Sequence, residues 1–403
     1  MQFFDKYLSY WPVLSASVLF LLLGLWLWLV SERAMERSPK TLDWVKEYRS
    51  PGFPFRAARL PFGRWSWTGL ILVVLAAAAF QLFLRANTMR AIFARWSFPT
   101  LDRYDLLMLV LAAVGGAGVY FCVHLLFQSS FAAFWSALLF SLSPLASHGV
   151  VSLLAVVLLL AILYLRADKP GLPGELLYLA AAALLCTAVS ACGPAVWLVP
   201  ALIALHLYKL VWQRREDRIG LAKLFLMLLL ALLVWAVFAA VAFCANLFIQ
   251  TGYSFTVLRG LLRPELLLPL FRGFLERVGS SLLRMPRPGL LLNPLMDAPL
   301  LGLGLWGLVS ALCMLAKRRS VRGTAAFAVA LALGLVWLLS AAYLLPLALA
   351  LLFGAMLKNA DVGKRRGLAS CVCAVGVAWN FALVTAAWWL PLTGELFLRV
   401  LRL

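Results

Sequence analysis

Long apolar runs, separated by short polar or basic stretches, recur along the whole of this 403-residue chain. A run of about eighteen apolar residues suffices to cross a bilayer core of roughly 30 Å. On that basis the pattern predicts an all-α polytopic protein with about twelve membrane segments: 12–30, 66–84, 106–127, 131–143, 149–166, 176–191, 195–212, 224–248, 298–316, 324–340, 342–357 and 368–390. Several of these are short for a full crossing. The pair 131–143 and 149–166 is interrupted by "SLSPLASHG", where Pro144 lacks a backbone donor and Gly149 permits a turn. Broken helices at membrane depth are tolerated only inside protein or beside a water-filled cavity. The first run, Pro12–Val30, reads as a retained span, because nothing basic beyond Lys6 precedes it and "SERAMER" is no small-residue cleavage site.

The polar stretches set an orientation. Residues 31–65 carry eight basic and four acidic residues, and "QRREDR", "AKRRSVR" and "GKRRG" are also net basic. With alternating segments all four fall on one side, which the positive-inside rule makes cytoplasmic; both termini are then outside. The chain divides into residues 1–65, an N-terminal span with a basic interfacial linker on the cytoplasmic side, and a transmembrane domain over 66–403. The other side holds the longer segments 85–105 and 249–297, which are net basic as well. Within the second, Phe271, Phe274, Leu275, Val278 and Leu282 recur at helical spacing opposite Arg272, Glu276 and Arg277. That pattern predicts an amphipathic helix lying in the outer headgroup plane.

Composition agrees with the pattern: 64% of residues are hydrophobic and 13% charged, more apolar than a soluble domain sustains. The net charge of +20 has two explanations. One is positive-inside sorting with interfacial snorkelling; the other is an anionic lipid or phosphorylated lipid partner. Nucleic acid is not expected, since no sizeable soluble domain offers a basic face. The seven cysteines (Cys122, Cys186, Cys192, Cys244, Cys313, Cys371, Cys373) lie in or beside apolar segments without disulfide or zinc spacing. No metal site is predicted from them. Ionisable residues are nearly absent from the spans, His124 being the main exception, so the buried carboxylates usual in ion-coupled transporters are not expected. No phosphate-binding loop, serine-hydrolase elbow, zinc-protease motif or dinucleotide fingerprint occurs. Enzyme chemistry, if present, belongs at the outer surface.

Four stretches carry a family resemblance. "DLLMLVLAAVGGAGVYFCVHLLFQSSFAAFWSALLFSLSPLASHGVVSLLAVVLLLAILYLRA" (105–167), "GPAVWLVPALIALHLYKLVW" (193–212), the long outer segment 249–297 and "AAYLLPLALALLFGAML" (341–357) together resemble the core of the C-type (GT-C) integral-membrane glycosyltransferases. The resemblance spans roughly residues 66–357. It implies transfer of a sugar from a polyprenyl-phosphate-linked donor at the extracytoplasmic face of a plasma (inner) membrane, within a cell-envelope pathway. It also implies a catalytic Asp or Glu just after a span, acting as general base on an acceptor hydroxyl or helping to coordinate a divalent cation. The chain departs from the family in two places. Residues 85–101 contain no acid, and Ala342 stands where an arginine often precedes "YLLP".

The first outer acids are Asp102 and Asp105, flanking Arg103 in "TLDRYDLL", and these are the candidate catalytic residues. A general base there would take the proton of a weakly nucleophilic hydroxyl as it attacks the anomeric carbon. Their structural reading is helix capping, because Asp at a helix start binds free N–H groups and complements the macrodipole. Arg95, Arg103, Arg259 and Arg263 are candidate lipid-phosphate ligands, since a guanidinium can bind two phosphate oxygens at once; headgroup anchoring is the plainer alternative. His148, in an outer turn, is a candidate substrate contact. His206 is expected to snorkel at the cytoplasmic end of its span, His124 to hydrogen-bond between helices, and Gly115, Gly116 and Gly118 to permit close helix packing. Two functional readings stay open beside the transferase: a non-catalytic scaffold or lipid-binding subunit of an envelope complex, and, third, a transporter.

Overall fold

The computed structural model describes residues 11–36, 63–84, 103–143, 149–166, 172–191, 297–316, 345–361 and 364–389. Single positions from 202 to 272 are described as well, among them Leu202, His206, Lys209, Phe225 and Arg272. The described residues are all-helical, with turns between: α1 (Trp11–Glu36), α2 (Arg64–Leu84), α3 (Arg103–Phe127), α4 (Ser130–Ser141), α5 (Gly149–Arg166), α6 (Leu172–Ala191), α7 (Ala298–Ala316), α8 (Leu345–Ala360) and α9 (Lys364–Trp389). Each coincides with an apolar run picked out above. Leu- and Ala-rich sequence favours the helix, and in α1, α6, α7 and α8 the second residue is proline (Pro12, Pro173, Pro299, Pro346). A proline there costs no hydrogen bond, because first-turn N–H groups have no intrahelical acceptor. Among the described residues, two stretches, Arg64–Leu82 and Leu106–Phe127, are long and apolar enough to cross a membrane; the other apolar helices hold shorter stretches of 10–17 residues.

The short helix α4 is the centre of the bundle and packs on α2, α3, α7, α8 and α9. Ser129 starts it from an extended backbone (φ −132°, ψ 115°), its Oγ accepting the Ala132 N–H at 3.1 Å. Just before it, Gln128 adopts a left-handed conformation (φ 52°) that turns α3 into α4 within two residues. Such a turn makes α3 and α4 antiparallel neighbours.

Small residues let the helices approach. A Cβ on Gly302 would sit 2.7 Å from the Phe20 backbone of α1, and one on Gly307 would sit 2.3 Å from the Leu352 carbonyl oxygen of α8. Helix α7 therefore lies between α1 and α8, each touching it along a glycine-bearing face. The levels rise together, Gly302 with Phe20 and Trp306 with Trp28, Gly304 with Leu349 and Gly307 with Leu352, so all three helices are parallel. Gly115 against Ser152 and Gly118 against Ala155 make α3 and α5 parallel, and Gly116 fits against Ser141 of α4 and Val73 of α2. The three glycines of α3 thus serve helix packing, as expected. Antiparallel neighbours are α2 with α3 (Tyr120 OH donates to Ser66 O, 2.8 Å) and α5 with α6 (Tyr164 beside Tyr178, 5.2 Å). These relations are the ones that strictly alternating segments require.

Candidate functional site

The bundle has two polar ends. At one, Asp297 immediately precedes α7: its Oδ1 accepts the Leu300 N–H at 3.2 Å, and its backbone carbonyl accepts the Leu301 N–H at 2.9 Å. This is an N-cap, with the charge also facing the positive end of the helix dipole. Asn380, from the interior of α9, donates its Nδ2 to the same Oδ1 at 3.2 Å. Ser143, just past the end of α4, lies close to the carboxylate without a hydrogen bond of ordinary geometry. Asp297, Asn380 and Ser143 are 2%, 0% and 1% exposed. Among the described residues, three of their oxygens make no hydrogen bond of ordinary geometry: Asp297 Oδ2, Asn380 Oδ1 and Ser143 Oγ. Burial pushes the Asp297 carboxyl up to about 6, against the lowering influence of Ser143, Asn380 and the Leu300 N–H. No cation among the described residues pairs with it. Loss of water raises an acid in this way, whereas hydrogen bonds to the charged form lower it.

The expectation that no buried carboxylate exists is therefore corrected. The hydrophobic pattern puts Asp297 in an outer segment, but α4, α7 and α9 enclose it. The signal that could have found it is local: Asp followed two residues later by Pro299 is the pattern of an N-cap with a first-turn proline. Its enclosure by Asn380 is not legible, since that partner lies 83 residues away in sequence.

Of the sequence candidates, Arg103 is the first residue of α3 and Asp105 the third; Asp102 lies outside the described residues. Arg95, His148, Arg259 and Arg263 also lie outside them, as do the linker 50–62 and the apolar positions of the amphipathic segment. The helix ends that flank these segments are nonetheless informative. The end of α2, the start of α3, the end of α4, the start of α5 and Asp297 all belong to the same end of the bundle. Arg103 stands roughly 18 Å further along α3 than Gly115, the residue level with Ser152, at 1.5 Å per residue. The start of α3 and the Asp297 cluster are thus on one end but at different heights.

The opposite end is tied by a different cluster. Ser129 Oγ donates to Asp361 Oδ2 at 2.7 Å, Asp361 pairs with Arg366 at 3.6 Å, and the Arg366 guanidinium lies 5.1 Å from the Phe131 ring centre. The Ser66 and Ser130 hydroxyls share a 2.7 Å hydrogen bond beside it. His206 does not snorkel. It is buried, with Nδ1 2.7 Å from the Tyr164 hydroxyl and its ring stacked 4.2 Å from that of Tyr178. Lys209, also buried, donates to the Tyr164 carbonyl near the C-terminus of α5, where a cation complements the helix dipole. His124 is buried and stacked on Tyr120.

Among the described residues no group of three or more His, Cys, Asp or Glu side chains could hold a metal ion, and the described cysteines are free thiols. No protein-family model, curated protein or solved structure matches this chain.

Proposed function

We propose that this chain is a multi-pass protein of the plasma (inner) membrane, with a C-type-glycosyltransferase-like core, that engages a polyprenyl-phosphate-linked sugar at the extracytoplasmic end of its bundle. The observation that carries the reading is that Asp297 and the helix termini flanking every candidate-bearing segment belong to one end of the bundle. Membrane insertion is supported by the exposed side chains: Val18, Leu19, Leu22 and Trp26 on α1, Trp67, Ile71, Leu72 and Leu75 on α2, and Leu106, Leu107, Val110 and Val114 on α3. Contiguous apolar faces of this extent are uncommon in water and ordinary in lipid. At the Asp361 end, exposed Trp65 and Trp67 lie beside Arg64, and Lys364 and Arg366 begin α9. Aromatic and basic residues at helix ends suit a cytoplasmic membrane interface.

In this reading Arg95, Arg103, Arg259 and Arg263 hold the phosphate and Asp102 or Asp105 takes the acceptor proton. Asp297 is a poor candidate for that role, because its Oδ1 is committed to the α7 cap. The helix start at Arg103 favours a second reading, in which Asp102 is a cap and the protein a non-catalytic lipid-binding or scaffold subunit. Both readings predict that replacing Arg259 and Arg263 together with Gln weakens binding of a short-chain polyprenyl phosphate about tenfold or more, since charge-assisted hydrogen bonds are worth about 1.5–3 kcal/mol. Lys replacements should restore only part. Unchanged affinity in the Gln pair would remove these arginines from substrate recognition. Sugar transfer that survives Asp102→Asn and Asp105→Asn would remove the acids from the chemistry.

A further inference from the structure

We propose that the cytoplasmic end of the bundle, where α2, α4 and α9 begin together, binds an anionic phospholipid of the cytoplasmic leaflet by its headgroup phosphate. The inference rests on the membrane reading above but not on the sugar chemistry. Adjacent serines tie the three helix starts. Ser130 of α4 shares its 2.7 Å hydrogen bond with Ser66 of α2, and Ser129 donates to Asp361, three residues before α9. Ser66 with Ser130 and Gly69 with Phe134 rise in step, as do Arg366 with Phe131 and Gly376 with Leu139, so the three helices are parallel. Each packs on the other two. Their N-termini therefore meet at one place, and each adds partial positive charge there.

Side-chain charge acts in the same sense. Arg64 opens α2, Lys364, Arg365 and Arg366 open α9, and Lys358 stands in the last turn of α8. Asp361 is the acid between them, already engaged by Ser129 and Arg366. The inner end of α1, which packs on α9, carries Glu32, Arg33 and Glu36; with these included, cations still number six against three acids. Such a surface attracts an anionic headgroup, whereas a zwitterionic one brings its own ammonium into the positive field. What makes the anion a lipid is the surface below the charges. Trp67, Ile71 and Leu75 follow Arg64 at four-residue spacing, all exposed, and exposed Leu368, Cys371 and Val375 follow Lys364. Two touching helices thus each carry an apolar face from the cations towards the bilayer core. A Cβ on Gly367 would meet nothing within 4 Å, so α9 is open at the level where an acyl chain starts. Trp65, 86% exposed, stands at the rim, and indole rings favour the headgroup layer.

The test uses the purified full chain in uncharged detergent micelles at neutral pH, doped with phosphatidylglycerol or phosphatidylcholine. Phosphatidylglycerol should raise the melting temperature saturably above the phosphatidylcholine value, by mass action on the folded state. Arg64→Gln combined with Lys364→Gln, one charge from each helix, should move the midpoint to about tenfold higher phosphatidylglycerol, roughly 1.4 kcal/mol of binding. Should that variant fail to fold, the parent decides alone: about 1 M salt, where the screening length falls to about 3 Å, should remove the phosphatidylglycerol advantage. Micelles have no sides, so these outcomes do not depend on orientation, which cysteine labelling tests separately. Equal melting in the two lipids would overturn the site, as would an advantage that survives 1 M salt. An unmoved midpoint in the Gln pair would overturn it too, because the lipid would then be held elsewhere. So would an equal rise from inorganic phosphate without phosphatidylglycerol, since the anion would then need no acyl chains.

Discussion

Gly307 is the sharpest place to test the packing of the bundle. A Cβ there would lie 2.3 Å from the Leu352 carbonyl oxygen, 2.4 Å from its carbonyl carbon and 2.6 Å from the Phe353 nitrogen. All three are backbone atoms, so no side-chain rotation relieves the clash; α7 and α8 must separate by about 1 Å to regain ordinary contact distances near 3.5 Å. Overpacking of this kind costs about 1–3 kcal/mol. The separation also strains the Asn359 Nδ2 to Ser310 Oγ hydrogen bond, 3.0 Å, about one turn further along α7 and two along α8. Against this, alanine is favoured over glycine within a helix by about 1 kcal/mol. Gly367 in α9 isolates that second effect, because a methyl group added there would meet nothing within 4 Å. Equilibrium unfolding in mixed micelles should therefore show Gly307→Ala less stable than the parent and Gly367→Ala equal or more stable. If Gly307→Ala unfolds at or above the parent's midpoint, α7 and α8 do not pack through this glycine.

Asp297 predicts a pH dependence. Its folded value of about 6 lies above the ordinary 3.8, so the folded state binds the proton more tightly. Stability should then rise as pH falls through about 6, and level off below the ordinary carboxyl range. Melting curves should show this rise in the parent relative to Asp297→Asn; parallel pH profiles would contradict it. At the other end, Ser129→Ala removes both the α4 cap and the hydrogen bond to Asp361. It should cost about 0.5–2 kcal/mol, and a double-mutant cycle with Asp361→Ala should return a coupling that is absent if the two side chains do not meet.

What the sequence reveals follows from interaction range. Helix positions are legible because run length, first-turn prolines and small residues act within one segment; Gly116 announces close packing, though not that Ser141 is its neighbour. The polar clusters are not legible. Ser129 and Asp361 are 232 positions apart, Tyr164 and His206 42 apart, and nothing local distinguishes them from surface residues. His206 resembles an interfacial residue because it nears the end of an apolar run. The facing tyrosines of α5 and α6 bury it instead.

The central claim is that the bundle crosses a membrane with the Asp297 end and its basic segments outside. Single cysteines at Arg95 and Arg319, in a background with the native cysteines replaced by alanine, test it through a membrane-impermeant maleimide applied to intact cells. The account predicts that the cysteine at 95 is labelled from outside and the one at 319 only after permeabilisation. Labelling of both from the same side would contradict it.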